Sequence, residues 1–198
     1  MPAWTIQKHK VMEATEVQTV LTDLRLKSKR SPNAKVNELI FRLATGCGLR
    51  ASEIANLRVC DVKLGDQPYI HVKDGKGGKS ADVMIPDDST VLVLEQWLAI
   101  HTDNGKIRPS KAPFVRKGKG MEFDRNEIAK RFKTAIKSLG PDRVKELSVD
   151  SGRHTAATLL LDRGESLATV RDFMRHSNIS VTSVYLHGRE LKPRPMLD

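Results

Sequence analysis

The sequence predicts an α+β domain, mainly helical, with one small antiparallel sheet. Apolar residues recur at helical spacing around 15–24, 36–43, 91–98 and 128–136, whereas alternating strand-like runs fall at 69–73 and 82–86. No internal repeat or composition shift divides the 198 residues, a length that suits one domain with a sizeable core.

In chain order, residues 1–12 carry no periodicity and read as a leader or linker. Thr15 and Gln18 have capping-box spacing, and Val17, Val20, Leu21 and Leu24 follow on one helical face. Ser31-Pro32 supplies a cap and a first-turn proline for a second helix, with Val36, Leu39, Ile40 and Leu43, that stops at Gly46 or Gly48. Ser52 then caps a short helix over 53–57, so Arg50 sits at a tight junction between two helices. The strands at 69–73 and 82–86 are joined by a glycine-rich turn. Gly78-Lys79-Ser80 has the ending of a nucleotide-binding loop, but Lys73 stands where that pattern needs glycine and a strand follows instead of a helix. The turn reads either as a hairpin tip that carries Lys76 toward a phosphate or as a solvated basic loop.

A helix over 90–100 places Val91, Leu94 and Leu98 on one face with Trp97 beside them. The loop 101–120 is rich in lysine, proline and glycine around Pro113-Phe114-Val115, and its basic run either tracks a nucleic-acid backbone or is simply solvated. An amphipathic helix over 124–139 ends at Gly140-Pro141. Turn residues in the last span, 147–187, fold it back on itself and bring Arg153, His176 and Tyr185 together.

Composition narrows the partner. Lys and Arg total 34 against 24 Asp and Glu, a net charge of +10 and a pI near 9.8, which suits a polyanion. Cys47 and Cys60 form no metal or disulfide pattern and are expected as buried, reduced thiols. No apolar run approaches a membrane span and the first ten residues lack a signal-peptide core, so a soluble cytoplasmic protein is expected.

The candidate chemistry rests on two guanidinium groups, Arg50 and Arg153, an amine, Lys76, an imidazole, His176, and a phenol, Tyr185. A phosphodiester under attack gains negative charge on its non-bridging oxygens, which planar arginine forks match. A phenol with a reference pKa of about 10 needs a proton acceptor to act as nucleophile, and His176 is nine residues away in sequence. The leaving alkoxide needs a proton, which Lys76 can bring on its hairpin. Taken singly, each of these residues, and His154 beside Arg153, has an ordinary structural reading; together they converge on phosphoryl transfer.

Thr45-Gly46-Cys47-Gly48-Leu49-Arg50-Ala51-Ser52-Glu53, Gly75 to Lys79, Arg153-His154-Thr155-Ala156-Ala157-Thr158 and His176-Ser177 through Thr182 to Tyr185 resemble, in order and spacing, the catalytic domain of the tyrosine recombinase (phage integrase) family over about residues 12–188. The resemblance implies a DNA breaking-rejoining fold and a site-specific recombinase or integrase. It would cleave double-stranded DNA through a covalent 3′-phosphotyrosyl link to Tyr185 and rejoin it without metal, ATP or another cofactor. Arg50 and Arg153 take the two arginine roles, Lys76 the general acid and His176 the second histidine position. It also implies self-assembly on DNA, a catalytic domain over 13–188 and a tail over 189–198. Type IB topoisomerases share the chemistry but not this motif context.

Three positions depart from the family pattern. Asp150 stands where a histidine usually precedes the second arginine by three residues, and can pair with Arg153 but adds negative charge beside a phosphate. Arg175 stands where glycine usually precedes the second histidine, a place where it strains the turn or adds a phosphate contact. The proline-broken end at Gly188 to Pro195 is expected to be too short for the C-terminal helix that many relatives donate to a neighbour. The N-terminal DNA-clamping domain of longer relatives is likewise not expected within this sequence. These departures keep a second reading open, a recombinase-like DNA-binding protein with weak or no cleavage.

Overall fold

The organising element is a helix buried on nearly every side. A computed structural model describes residues 8–73, 80–103, 106–107, 111–176 and 182. Within it, α2 (Pro32–Thr45) starts at the predicted cap, where Ser31 Oγ accepts from Ala34 N at 3.4 Å with Pro32 behind it. From Ala34 to Thr45 only Lys35 is exposed. Such a helix is the centre of a bundle, and α1 (Ala14–Ser28), α5 (Arg125–Ala135) and α7 (Val149–Asp162) pack around it. Phe41 of α2 stacks on Phe132 of α5 with ring centroids 5.9 Å apart. At Gly152 of α7 an added Cβ would lie 3.1 Å from both Ala44 Cβ and Phe132 Cε2, so the missing side chain is what lets α7 come this close.

Helix α1 begins two residues earlier than the spacing of Thr15 and Gln18 predicts. Glu13 is the cap and its N–H donates to Glu16 Oε2 at 2.9 Å, the same three-residue spacing in another register. Tertiary contacts choose between the two registers: Arg143 Nε holds Glu16 Oε1 at 2.7 Å, and Met12, 2% exposed, is part of the core with its N–H on Thr155 Oγ1 at 2.9 Å. The expected leader therefore ends in a short 3-10 turn, Lys8–Lys10, followed by a packed residue.

Helix α3 (Ala51–Asn56) starts at Arg50, not at Ser52. The sheet contains the two expected strands as β2 (Tyr69–Val72) and β3 (Ala81–Met84), plus a two-residue edge strand, β1 (Val62–Lys63), too short to show alternation. Order is β1-β2-β3, all antiparallel, with Ile70 paired to Val62 and Val83. All three side chains are buried, which gives the sheet its inner face. The hairpin tip, residues 74–79 with Lys76, lies outside the described residues.

Helix α4 (Asp88–Ala99) begins two residues ahead of the expected start and is capped by Asp87. The loop after it holds a minimal hairpin, β4 (Thr102–Asp103) with β5 (Lys106–Ile107). Its apolar element is an anchor: Phe114 is fully buried, its N–H donates to Leu57 O at 2.8 Å, and its carbonyl accepts from Trp97 Nε1 at 2.6 Å. The predicted 124–139 helix is α5 followed by a 3-10 turn, Ile136–Leu139. Gly140-Pro141 both ends that turn and starts α6 (Pro141–Glu146), which the terminator reading missed because proline at a first helical position also nucleates. The last described helix is α8 (Leu167–Phe173).

Both cysteines are free thiols. Cys47 is buried and burial pushes its pKa up, so it is inert. Cys60 is only half-buried, against expectation, because the 3-10 turn Val59–Asp61 turns it toward an open cleft at the sheet edge. No described helix is long and apolar enough to cross a membrane.

Candidate functional site

Arg50 is placed by the break that ends α2. Gly48 takes φ 61, and a Cβ there would lie 2.8 Å from Phe173 Cε1, so the position demands glycine twice over. The chain then re-enters helix at Ala51, with Arg50 as the cap. Glu53, one turn on, is 8% exposed. Its Oε2 accepts from Arg50 N at 2.8 Å and its Oε1 from Arg50 Nη1 at 2.9 Å. The Arg50 side chain keeps 29% exposure and lines an open cleft of about 340 Å³ with Ser52, Arg125 and Asp150.

Arg153 comes from the second turn of α7, whose first turn is capped by Ser148 Oγ accepting from Ser151 N. It is 3% exposed. Its Nη1 donates to Gly48 O at 2.5 Å and its Nη2 to Met174 O, so one guanidinium joins two turns 126 residues apart in sequence. Asp150, the expected partner of Arg153, makes no ion pair with it. The carboxylate is exposed in the first turn of α7, where a negative charge suits the helix N-terminus, and it faces the Arg50 cleft instead.

His176 follows α8 in a turn with two backbone bonds, Arg175 N to Asp172 O at 2.9 Å and His176 N to Arg171 O at 3.0 Å. This is the Schellman arrangement, whose first residue past the cap is left-handed and usually glycine. Here that residue is Arg175, at φ 53, the one non-glycine residue with positive φ among those described. An arginine there costs roughly 1 kcal/mol relative to glycine. The strain expected from the sequence is present, but the side chain runs inward: Nη2 lies 2.6 Å from Glu53 Oε2, with both side chains under 10% exposed. Glu53 thus binds Arg50 and Arg175 together. Burial pulls the Arg175 pKa down from its ordinary value, the charge of Glu53 opposing.

The His176 ring is oriented by Thr182, whose Oγ1 is 2.9 Å from Nδ1 and which is fully buried. Burial, then the positive charges of Arg153 and Arg50, pull its pKa down to about 4. It is therefore neutral at neutral pH, with one ring nitrogen able to accept a proton and the other to donate. Burial likewise lowers His154, with Asp150 opposing and Arg153 and Arg50 reinforcing.

The structure thus brings Arg50, Arg153 and His176 into one electropositive neighbourhood with Asp150 at its rim. Lys76 and Tyr185 lie outside the described residues, as do residues 177–181 and 183–198. Sequence reasoning missed Glu53 and Thr182 as organising residues. Glu53 left one signal, a glutamate three residues after a helix-starting arginine; Thr182 left none beyond its place in the motif. Two guanidinium groups on one buried carboxylate leave net positive charge, so the arrangement can receive a phosphate or similar anion. Among the described residues no group of three or more His, Cys, Asp or Glu side chains is placed to hold a metal ion.

The model of the "Phage integrase family" matches residues 10–191. The chain belongs to that family. Among its curated relatives, "Tyrosine recombinase XerA" of Pyrococcus horikoshii is 31% identical over 150 residues, covering 75% of this chain and 49% of the relative. "Tyrosine recombinase XerC" of Corynebacterium efficiens is 33% identical over 153 residues, covering 75% and 45%. The chain spans about half the length of these relatives. Among solved structures, an XerA recombinase superposes with a TM-score of 0.72 at 21% identity, over 96% of this chain and 63% of that one. A lambda integrase(75-356) dimer bound to a COC′ core site gives 0.66 at 17% identity, over 100% and 66%. The family member described here therefore has the tyrosine recombinase catalytic fold.

Proposed function

We propose that this chain is the catalytic part of a site-specific tyrosine recombinase, acting on double-stranded DNA, with residues 13–188 as its catalytic domain. The observation that carries the reading is the linkage of Arg50, Arg153 and the His176 turn through Glu53, Gly48 O and Met174 O. In the reaction the Tyr185 oxygen attacks the phosphorus and the bond to the 5′ oxygen breaks. His176, held neutral, takes the phenol proton; Lys76 gives a proton to the leaving 5′ oxygen. Arg50 and Arg153 stabilise the charge that builds on the non-bridging oxygens. The phosphotyrosyl ester keeps the energy of the original bond, so attack by a 5′-hydroxyl restores the strand without a nucleotide. The net charge of +10 supports a DNA partner, and the lambda integrase dimer of the same fold, bound to a COC′ core site, supports assembly there. Action on DNA in turn supports a cytoplasmic location.

A nicked suicide substrate carrying the cognate site tests this. The parent should form an SDS-resistant protein–DNA adduct that Tyr185→Phe abolishes; a folded parent that forms none contradicts the reading. Asp150 favours the second reading, a DNA-binding relative with weak cleavage, because its exposed carboxylate faces the same cleft as Arg50. Under that reading Asp150→His raises adduct yield well above the parent. Equal yields remove its basis.

A further inference from the structure

We infer that Arg175 is a positioning residue for strand cleavage: by ion-pairing with the carboxylate that also holds Arg50, it fixes where His176 sits relative to Arg50. The inference rests on the proposed function for its chemistry, but its geometry stands on its own. Position 175 needs a left-handed backbone, and glycine would supply that at no cost. Arginine accepts the strain and a further penalty, since its Nε is buried with no hydrogen-bond partner. What it gains is a 2.6 Å contact from Nη2 to Glu53 Oε2, across 122 residues of sequence.

That contact joins two otherwise separate placements. Glu53 Oε1 and Oε2 hold the Arg50 side chain and backbone at 2.9 and 2.8 Å. Arg175 is the residue immediately before His176, whose ring is fixed on its far side by Thr182. Arg153 already ties the same two turns, but at backbone carbonyls one position earlier, Met174, and two positions before Arg50, Gly48. Arg153 sets how far apart the turns are, and Arg175 sets their rotation, because it adds a second point of attachment. The positive charge of Arg175 also adds to the field that keeps His176 neutral.

Arg175→Gly is a usable test because glycine suits the turn, so the variant should fold. Two readouts are taken on the whole chain, with Arg175→Lys alongside. The first is single-turnover cleavage of the nicked substrate. Arg175→Gly should cleave about tenfold or more slowly at saturating DNA while its Kd stays within about threefold, since misplaced groups lower the rate and not the binding. Arg175→Lys, which keeps the charge, should recover part of the rate. The second readout is the NMR titration of His176 in the free protein. Its midpoint should rise from about 4 toward the ordinary histidine value in Arg175→Gly. Cleavage by Arg175→Gly at or above the parent rate overturns the inference, whatever the titration shows. If the parent itself does not cleave, the strand-transfer reading fails, and the NMR shifts of His176 and Thr182 at neutral pH then decide: signals that move in Arg175→Gly but not in Arg175→Lys support the link, and signals unmoved in Arg175→Gly overturn it.

Discussion

At Gly48 and at Arg175 the chain makes the same left-handed backbone step, φ 61 and φ 53, once with glycine and once with arginine. The surroundings account for the difference. Beside Gly48 the Phe173 ring leaves no space for a side chain, and the turn contributes only a carbonyl, which Arg153 takes. Beside Arg175 the side chain runs inward to Glu53, 2.6 Å away. One turn is shaped by what must be absent, the other by what is present. The first is held by its neighbours, whereas the second reaches across the site and helps hold Arg50.

The comparison breaks most visibly at Gly48. Gly48→Ala meets both the backbone penalty and the Phe173 ring, and should cost about 2 kcal/mol, with Tm falling by roughly 4–8 °C. Chemical denaturation and a thermal scan check this. An unchanged Tm would mean that the turn relaxes freely. Arg175→Gly should behave oppositely in the same assays, with strain relief offsetting the lost ion pair to within about 1 kcal/mol, because Glu53 keeps Arg50 as a partner.

A smaller effect comes from pH. His176 is depressed to about 4 in the folded chain, whereas the unfolded value is 6.5, so below 6.5 the unfolded state binds the proton first. The stability that comes from keeping this ring neutral is therefore complete above pH 6.5 and is lost as pH falls toward 4. His154, also lowered, acts in the same direction. Denaturation midpoints taken from pH 7.5 to 4 should decline in Arg175→Gly less than in the parent, since the His176 pKa lies nearer its unfolded value there.

Much of the fold was legible because it is written in local signals. Ser31-Pro32 opens α2 where predicted, both expected strands form within two residues of their predicted bounds, over Tyr69–Val72 and Ala81–Met84, and Arg50 sits at the junction after the glycine break. What was not legible is non-local. The sequence reading put the α1 cap at Thr15, whereas Glu13 takes it, and the choice lay with Arg143, 127 residues from Glu16. Asp150 reads as a partner of Arg153 from a three-residue spacing, yet the first turn of α7 points it at solvent while Arg153 faces the core. Glu53 stood in the sequence only as the first residue of the short helix expected after Ser52, and its role depends on Arg175 arriving from the far end of the chain. Motif order was enough to nominate Arg50, Arg153 and His176. It contained no sign that the Glu53 carboxylate joins Arg50 to the His176 turn.

The most direct test of strand transfer is to find where the DNA becomes attached. The parent chain is trapped on a nicked substrate, digested with nuclease and protease, and the peptides are weighed. The account predicts a nucleotide mass on the peptide containing Tyr185, joined through a 3′ phosphate. The modification mapping to any other residue, or no modified peptide from a folded, DNA-bound chain, would contradict it.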